Sequence, residues 1–443
     1  MSFLIAVKTI KTRKTIRPVL KSFHFLAGLA ACAFILGAGC PAKADTLSVD
    51  FDQELGKVVP LSGFLHGRNL YLDQVFPDAL VDPLNPTMWR IGFQFRGKTP
   101  QLLEAIDYIG KHGAKCKLCF GDLVESHPPE GKDWSGFDWA AYEKEVKALV
   151  TAVGDRAESM IWEPQNEPDM LKFPIESDYL LYSHAFKALR EANKNLQICG
   201  PGFAFPSYEK YRAFLNYCRS NQLECNYLSF HSTGWNPDRP EKEKQNLGRL
   251  REFVKDYPEQ KIREIDCDEW GGPTDEPGRL QPGRAIVWFY YLENVYSVDH
   301  ACRANYGWED DPLGGTVTRS GQTYPVYYAH RWYAGAKGQI RVRTSGNTKD
   351  LACLASKSIN RREVVVGSIR RGTCALTLAL KDATLKGYAV SVKRLPGRFL
   401  EEPLAAADIP VDNDFRVEKQ SDGVTLTLPK VQENEAYQLV FTR

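Results

Sequence analysis

Short apolar runs alternate with amphipathic stretches between about residues 61 and 336. The runs are Leu61–Gly67, Thr87–Gly92, Lys115–Gly121, Met160–Glu167, Leu196–Gly200, Tyr227–His231, Ile262–Glu269 and Ala301–Tyr306. Between them lie helical stripes. Tyr142, Val146, Leu149, Val150 and Val153 follow i, i+4, i+7, i+8, i+11 spacing, and Leu102, Leu103, Ile106 and Ile109 form a similar face. Ser177 is expected to cap a helix that buries Tyr179, Phe186 and Leu189. Arg284–Asp299 is expected as an apolar helix before the eighth run, and Tyr324–Lys337 as the last helix of the series. Alternating strand and helix argues for βα units and a parallel sheet. Eight units over about 250 residues match a closed (β/α)₈ barrel, the TIM barrel. The fold class is therefore α/β, with the barrel over residues 61–337.

After Gly338 the texture changes. Leu351–Ala355, Glu363–Ile369, Cys374–Leu380, Tyr388–Val392, Gly423–Leu428 and Tyr437–Phe441 are short strand-like runs with turn residues between them. They predict an all-β sandwich over residues 338–443. Residues 45–60 carry an earlier strand, Leu47–Phe51, expected to join that sheet.

Composition places the chain among ordinary globular proteins, with 43% apolar and 25% charged residues in 443. Residues 1–44 read differently. Lys8, Lys11, Arg13, Lys14, Arg17 and Lys21 precede an apolar run from Phe23 to Gly39, and Ala42-Lys43-Ala44 gives a small-x-small cleavage site before Asp45. That is the pattern of a signal peptide for export to the periplasm or beyond, with no membrane span after processing. One rival is an uncleaved membrane anchor, for which the run is short; a second is lipid attachment at Cys40, after Leu36-Gly37-Ala38-Gly39. The segment holds seven Lys/Arg and no Asp/Glu, so the remainder has 50 basic against 55 acidic residues, a net of −5. With no basic stripe and no nucleic-acid motif, a nucleic-acid partner is disfavoured.

Nine cysteines follow residue 44. An exported chain permits disulfides, and Cys353 with Cys374, or Cys218 with Cys225, are the candidate pairs. Cys116-Lys117-Leu118-Cys119 is a lone CxxC inside an apolar strand, which reads as buried structural cysteine rather than a metal or redox site.

In a barrel the working residues sit at the C-terminal strand ends. Glu167 ends the fourth run, in Trp162-Glu163-Pro164-Gln165-Asn166-Glu167-Pro168, and Glu269 ends the seventh, in Asp266-Cys267-Asp268-Glu269-Trp270. A carboxylic acid beside a carboxamide suits protonation of a glycosidic oxygen, and that chemistry needs a second carboxylate facing it. Strand parity puts Ile265, Cys267 and Glu269 on one face, filling the barrel and its mouth. It puts Glu264, Asp266 and Asp268 on the other, towards helices or solvent. Glu163, Gln165 and Glu167 share a face by the same count, so Glu163 competes with Glu167. Arg90 lies in the second run and His231 ends the sixth. Tyr306 ends the eighth and Trp308 follows it, and His66 lies near the end of the first.

Trp162-Glu163-x-x-Asn166-Glu167-Pro168 resembles the acid/base motif of the clan of retaining glycoside hydrolases built on (β/α)₈ barrels. Asp268-Glu269-Trp270 resembles that clan's nucleophile segment. Asn166-Glu167-Pro168-Asp169, Asp268-Glu269 with Pro273, and Gly321-x-x-Tyr324-Pro325-Val326-Tyr327-Tyr328-Ala329 are most similar to glycoside hydrolase family 39, which includes β-xylosidases and α-L-iduronidases. The resemblance implies that Glu269 is the nucleophile and Glu167 the acid/base, kept protonated by a raised pKa. It further implies that Asn166 bonds the sugar 2-hydroxyl, that Arg90 holds Glu269 charged, that His231 lies near the nucleophile and that Trp308 forms an aromatic floor. The implied partner is an oligo- or polysaccharide of plant, bacterial or algal origin, with no cofactor and no metal. Two other readings stand beside it. A metal-dependent barrel hydrolase would need His and Asp ligands converging at strand ends, where His66 and His231 are placed. An inactive carbohydrate-binding barrel protein would keep the cleft without turnover.

Overall fold

The computed structural model describes residues 45–65, 77–124, 134, 136–170, 175–233, 239–271, 281–304, 312–318, 320–397 and 403–443. Residues 1–44, with the export pattern and Cys40, lie outside these, as do His66, Pro273, Tyr306 and Trp308.

Strand β1 (Asp45–Lys57) precedes a closed barrel of eight strands in chain order: β2 (Gly63–Leu65), β3 (Met88–Ile91), β4 (Lys115–Cys119), β5 (Ile161–Glu163), β6 (Gln197–Phe203), β7 (Tyr227–Thr233), β8 (Glu264–Gly271) and β9 (His300–Arg303). Neighbouring strands are parallel, and β9 closes the ring on β2 through Gly63↔Cys302 and Phe64↔Arg303. Helices connect the strands and cover them. Thr99–Lys111 buries Leu102, Ala105, Ile106 and Ile109. Trp139–Val153 buries Tyr142, Val146, Val150 and Val153, and starts where the Asp138 carboxylate accepts from the Ala141 amide at 2.9 Å. Ser177 does not cap its helix, because Ile175–Ala192 begins upstream of it. The stretch expected as one helix over Arg284–Asp299 is a helix at Pro282–Tyr290, then a π turn at Tyr291–Val295, ahead of β9.

Alternation along the strands separates two environments. Trp89, Ile91, Leu118, Trp162, Ile198, Leu228 and Phe230 join the main core under the helices. Met88, Ile161, Cys199, Tyr227 and Cys302 form a separate apolar cluster, one residue from each of five strands, which floors the barrel interior. Further along the same strands the interior turns polar.

The second sheet has nine strands: β1 with β10 (Ile340–Ser345), β11 (Leu351–Ser358), β12 (Arg361–Ser368), β13 (Cys374–Lys381), β14 (Ala389–Leu395), β15 (Arg416–Lys419), β16 (Gly423–Val431) and β17 (Ala436–Thr442). Their order is β14-β17-β12-β11-β10-β1-β13-β16-β15. β1 runs antiparallel to β10 and parallel to β13, so the segment ahead of the barrel sits inside this sheet. Val392 of β14 and Leu426 of β16 come from near opposite ends of the order, yet share one buried cluster with Val49, Val366 and Leu378. The sheet therefore curls over a single core. Its other face packs on the barrel: Ala352, Leu354 and Val365 join the main core, while Leu351, Cys353 and Val366 point the opposite way. Contact with the helix Pro282–Tyr290 is backbone to backbone. A Cβ on Gly283 would lie 2.4 Å from the carbonyl oxygens of Ser368 and Glu435, and one on Gly367 would lie 2.3 Å from that of Gly283. Among the described residues no disulfide forms. Neither Cys353 and Cys374 nor Cys218 and Cys225 are bridged, and all four are thiols.

Candidate active site

Above the apolar floor the barrel is filled with charge. Arg90, two residues beyond Met88 on β3, is almost wholly buried and gathers three segments. Its Nε and Nη2 donate to the two oxygens of Glu163 at 2.6 and 3.1 Å. Its Nη1 donates to Glu269 Oε1 at 2.7 Å, and Nη2 also to Asn166 Oδ1 at 2.8 Å. Lys117, inward on β4, donates to Asp266 Oδ2 at 2.8 Å and Asp268 Oδ1 at 2.6 Å, with all three side chains out of reach of solvent.

Simple parity on β8 does not hold. Phe230 pairs with Cys267, and the next residue, His231, pairs with Glu269. One extra residue, Asp268, is accommodated on β8 as a bulge. Asp266 and Asp268 face the barrel interior, while Ile265 and Cys267 face the helices in the main core. The bulge lets two consecutive residues serve the interior, Asp268 towards Lys117 and Glu269 towards Arg90. Glu269 thus points where parity expected, by a different route.

Parity also lapses past the end of β5. Glu163 remains inward on Arg90. Gln165 turns to the helix Ile175–Ala192, donating to the Asp178 carbonyl at 2.6 Å. Asn166 bridges to Gly202, and the Glu167 amide donates to the Gly202 carbonyl at 3.0 Å. Glu167 adopts φ +45°, a left-handed conformation that costs a non-glycine residue about 1 kcal/mol or more. The turn brings its carboxylate to His231, whose Nδ1 lies 2.9 Å from Glu167 Oε1 and 3.5 Å from Glu269 Oε2. Gly202 makes room for this. A Cβ there would lie 2.7 Å from Glu163 Oε1 and 3.1 Å from His231 Nε2.

Burial and pairing set the protonation states. Burial opposes charge on Arg90 and Lys117, but the surrounding carboxylates outweigh it and raise both pKa values. Burial pushes Glu163 up to about 7 against the pull of Arg90. Burial likewise raises Glu269, with His231 and Arg90 holding it back. Asp268 goes down, because Lys117 and Arg90 overcome its burial. His231 goes up, since Glu269 and Glu167 outweigh its burial. Glu167 goes down, first through the His231 hydrogen bond, which exceeds the effect of burial. That corrects the expectation of a raised Glu167. The imidazole 2.9 Å away favours the ionised carboxylate.

Of the residues singled out from the sequence, Glu167, Glu269, Asn166, Arg90 and His231 meet at the C-terminal mouth of the barrel. Lys117 and Gly202 were missed, Asp266 and Asp268 were expected on the outward face, and Glu163 was taken only as a rival of Glu167. A signal for Lys117 was available, as a lysine between Cys116 and Leu118 in an apolar run. One oxygen or nitrogen each of Glu167, His231 and Glu269 lie within 4.8 Å of one another, a spacing that can hold a cation. The Arg90 guanidinium on Glu269 places a fixed positive charge at that spot, which opposes one.

The chain is similar to glycosyl hydrolases family 39: that family's model matches residues 142–270, the segment that carries both candidate carboxylates. A search of curated proteins by sequence gives no match. Among solved structures, one from Neocallimastix frontalis aligns with a TM-score of 0.73 at 18% identity, over 90% of this chain and 100% of that one. The GH39 enzyme from Xanthomonas axonopodis pv. citri aligns at 0.65 and 14%, over 92% and 99%. A monomeric β-xylosidase from Caulobacter crescentus CB15 aligns at 0.62 and 13%, over 90% and 99%. At such identities the likeness is one of fold, a barrel with an accessory β domain.

Lys117→Met leaves Asp266 and Asp268 buried without their cation. It should cost about 3–5 kcal/mol of stability in urea unfolding. A loss under about 1 kcal/mol would show that the ion pairs do not hold the β8 bulge.

Proposed function

We propose that the protein is an exported glycosidase that cleaves O-glycosidic bonds with retention, Glu269 acting as nucleophile and Glu167 as acid/base. The observation that carries this is the meeting of the two carboxylates, with oxygens within 4.8 Å at the barrel mouth. Retaining enzymes space their carboxyl groups by about 5–5.5 Å, whereas inverting ones leave about 6.5–9.5 Å for a water. The export pattern at residues 1–44 supports a periplasmic or extracellular site of action, and N-terminal sequencing of the secreted chain would give Asp45 first. No helix among the described residues is long and apolar enough to cross a membrane.

The lowered Glu167 and raised His231 are compatible with this role because the two side chains share one proton. In the free protein that proton rests on His231 Nδ1. When a glycoside fills the mouth and displaces water, the neutral arrangement is favoured and the proton returns to Glu167 Oε1. Glu167 then gives it to the leaving oxygen as Glu269 attacks the anomeric carbon and the glycosidic bond breaks. In the second half Glu167 takes a proton from water, whose oxygen displaces Glu269. Arg90 holds Glu269 in place and fixes Asn166 by its carbonyl, which leaves the Asn166 amide hydrogens to donate to the sugar 2-hydroxyl. The metal-hydrolase reading would use the same Glu167, His231 and Glu269, and elemental analysis of the purified protein separates the two.

A screen of aryl β-xyloside, glucoside, galactoside and α-L-iduronide should find turnover, with the first-formed product keeping the substrate's anomeric configuration by NMR. Inverted product, or none from any glycoside, would reject the assignment. The pH profile of kcat/KM should be a bell. Activity rises as Glu269 loses its proton, above the ordinary carboxylate value, and falls as the Glu167–His231 pair loses its own, above 6.5. His231→Asn keeps a donor but no charge. It should narrow the bell from both sides by about half a unit or more on each limb, and unmoved limbs would contradict the shared proton.

A further inference from the structure

The segment that carries Glu167 is tied down on both sides. Before it, Gln165 is anchored to the helix Ile175–Ala192 through the Asp178 carbonyl. After it, Pro168–Met170 form a single turn, closed by the Met170 amide donating to the Glu167 carbonyl at 2.9 Å. Asp169 lies inside that turn, and its side chain is almost wholly buried. A carboxylate so placed is stable only where donors replace the water it has lost. The backbone amides of Ala204 and Phe205 donate to its two oxygens at 2.8 and 2.9 Å, and the Lys210 ammonium donates to Oδ2 at 2.5 Å.

Those donors belong to two other elements. Ala204 and Phe205 follow the end of β6, and Lys210 lies in the first turn of the helix Tyr208–Ser220. Lys210 also donates to the Phe205 carbonyl at 2.6 Å, so its ammonium braces the same loop that Asp169 holds. Two residues ahead of Ala204, the Gly202 carbonyl accepts the Glu167 amide. Residues 167–169 are thus stitched to 202–205 by one neutral hydrogen bond and two to a charged acceptor, and charged acceptors make the stronger bonds. The His231 imidazole packs on Gly202, so the same stitching fixes the distance from Glu167 to His231. Glu167 itself adopts a left-handed φ of +45°, which persists only where the surroundings impose it.

We propose that Asp169 is the positioning residue of the acid/base. Its carboxylate locks the turn after Glu167 to the end of β6, and so keeps the Glu167 carboxyl beside His231 and aimed at the oxygen of the departing group. The inference rests on the glycosidase reading above. In this role Asp169 acts through Glu167 and needs no contact with the sugar. Loss of the lock displaces the proton donor and leaves Glu269 on Arg90. A leaving group that departs as a stable anion needs no proton from Glu167, whereas an ordinary one does.

The test uses the phenyl and 2,4-dinitrophenyl glycosides of whichever glycone the aryl screen selects. The two are alike in shape, but only dinitrophenolate leaves readily without a proton. Asp169→Ala in the full chain should lower kcat/KM for the phenyl glycoside about a hundredfold, and leave the dinitrophenyl glycoside within about threefold. On the dinitrophenyl glycoside kcat and KM should fall together, because water then meets the glycosyl-enzyme without a placed base. Azide needs no base. Its nitrogen displaces the Glu269 oxygen from the anomeric carbon, so it should restore kcat and give a glycosyl azide of the substrate's configuration. Lys210→Met removes one donor from Asp169 at a partly exposed position, and should show the same split between substrates to a smaller degree. That split decides the matter if the alanine variant does not fold. Equal losses on both substrates, no loss on either, or a kcat that azide does not raise would overturn the positioning role. Wild-type protein inactive on both glycosides would instead defeat the glycosidase reading.

Discussion

A guanidinium buried among carboxylates is the constraint on which the site depends. Arg90 bonds Glu163, Asn166 and Glu269 at once, so β3, the end of β5 and the end of β8 are fixed relative to one another by one side chain. Beneath it Lys117 does the same for Asp266 and Asp268. Such burial is tolerable only because every charge has a partner; removing one partner leaves the rest stranded in a medium that solvates them poorly. Two cations face four buried carboxylates, Glu163, Asp266, Asp268 and Glu269. Burial raises three of these, Glu163, Asp266 and Glu269, while Asp268 stays ionised between Lys117 and Arg90.

His231 links this network to the mouth. Its Nδ1 faces both Glu167 and Glu269, and the two carboxylates raise its pKa against its burial. In the proposed mechanism, acid strength at Glu167 follows occupancy of the cleft, since its own pKa is lowered by the His231 hydrogen bond. Local backbone serves the same end: the left-handed turn at Glu167 and the missing side chain at Gly202 bring carboxylate and imidazole to hydrogen-bonding distance.

Much of this was legible in the sequence. Eight apolar runs alternating with helical stripes pointed to a closed barrel, and the runs match β2 to β9. Glu167 and Glu269 stood out because they end two of those runs. What could not be read was anything that depends on a break in regularity. The bulge at Asp268 inverts the facing of Asp266 and Asp268, and no residue type in Ile265–Glu269 announces it. Lys117 was visible as a charge in an apolar strand, but its partners lie 149 and 151 residues away. β10 and β15 escaped because their surfaces are largely solvated: only Val342 is buried in the first and no residue in the second. The lowered pKa of Glu167 needed the imidazole's position, which three-dimensional closure alone supplies.

The central claim is that Glu269 forms a covalent bond to the sugar. A 2-deoxy-2-fluoro glycosyl fluoride of the accepted glycone slows the second step more than the first, so the intermediate accumulates. Peptide mass spectrometry of the inactivated protein should then place one glycosyl group on Glu269. A label on Glu163 or Asp268, or complete inactivation with no label, would contradict the account.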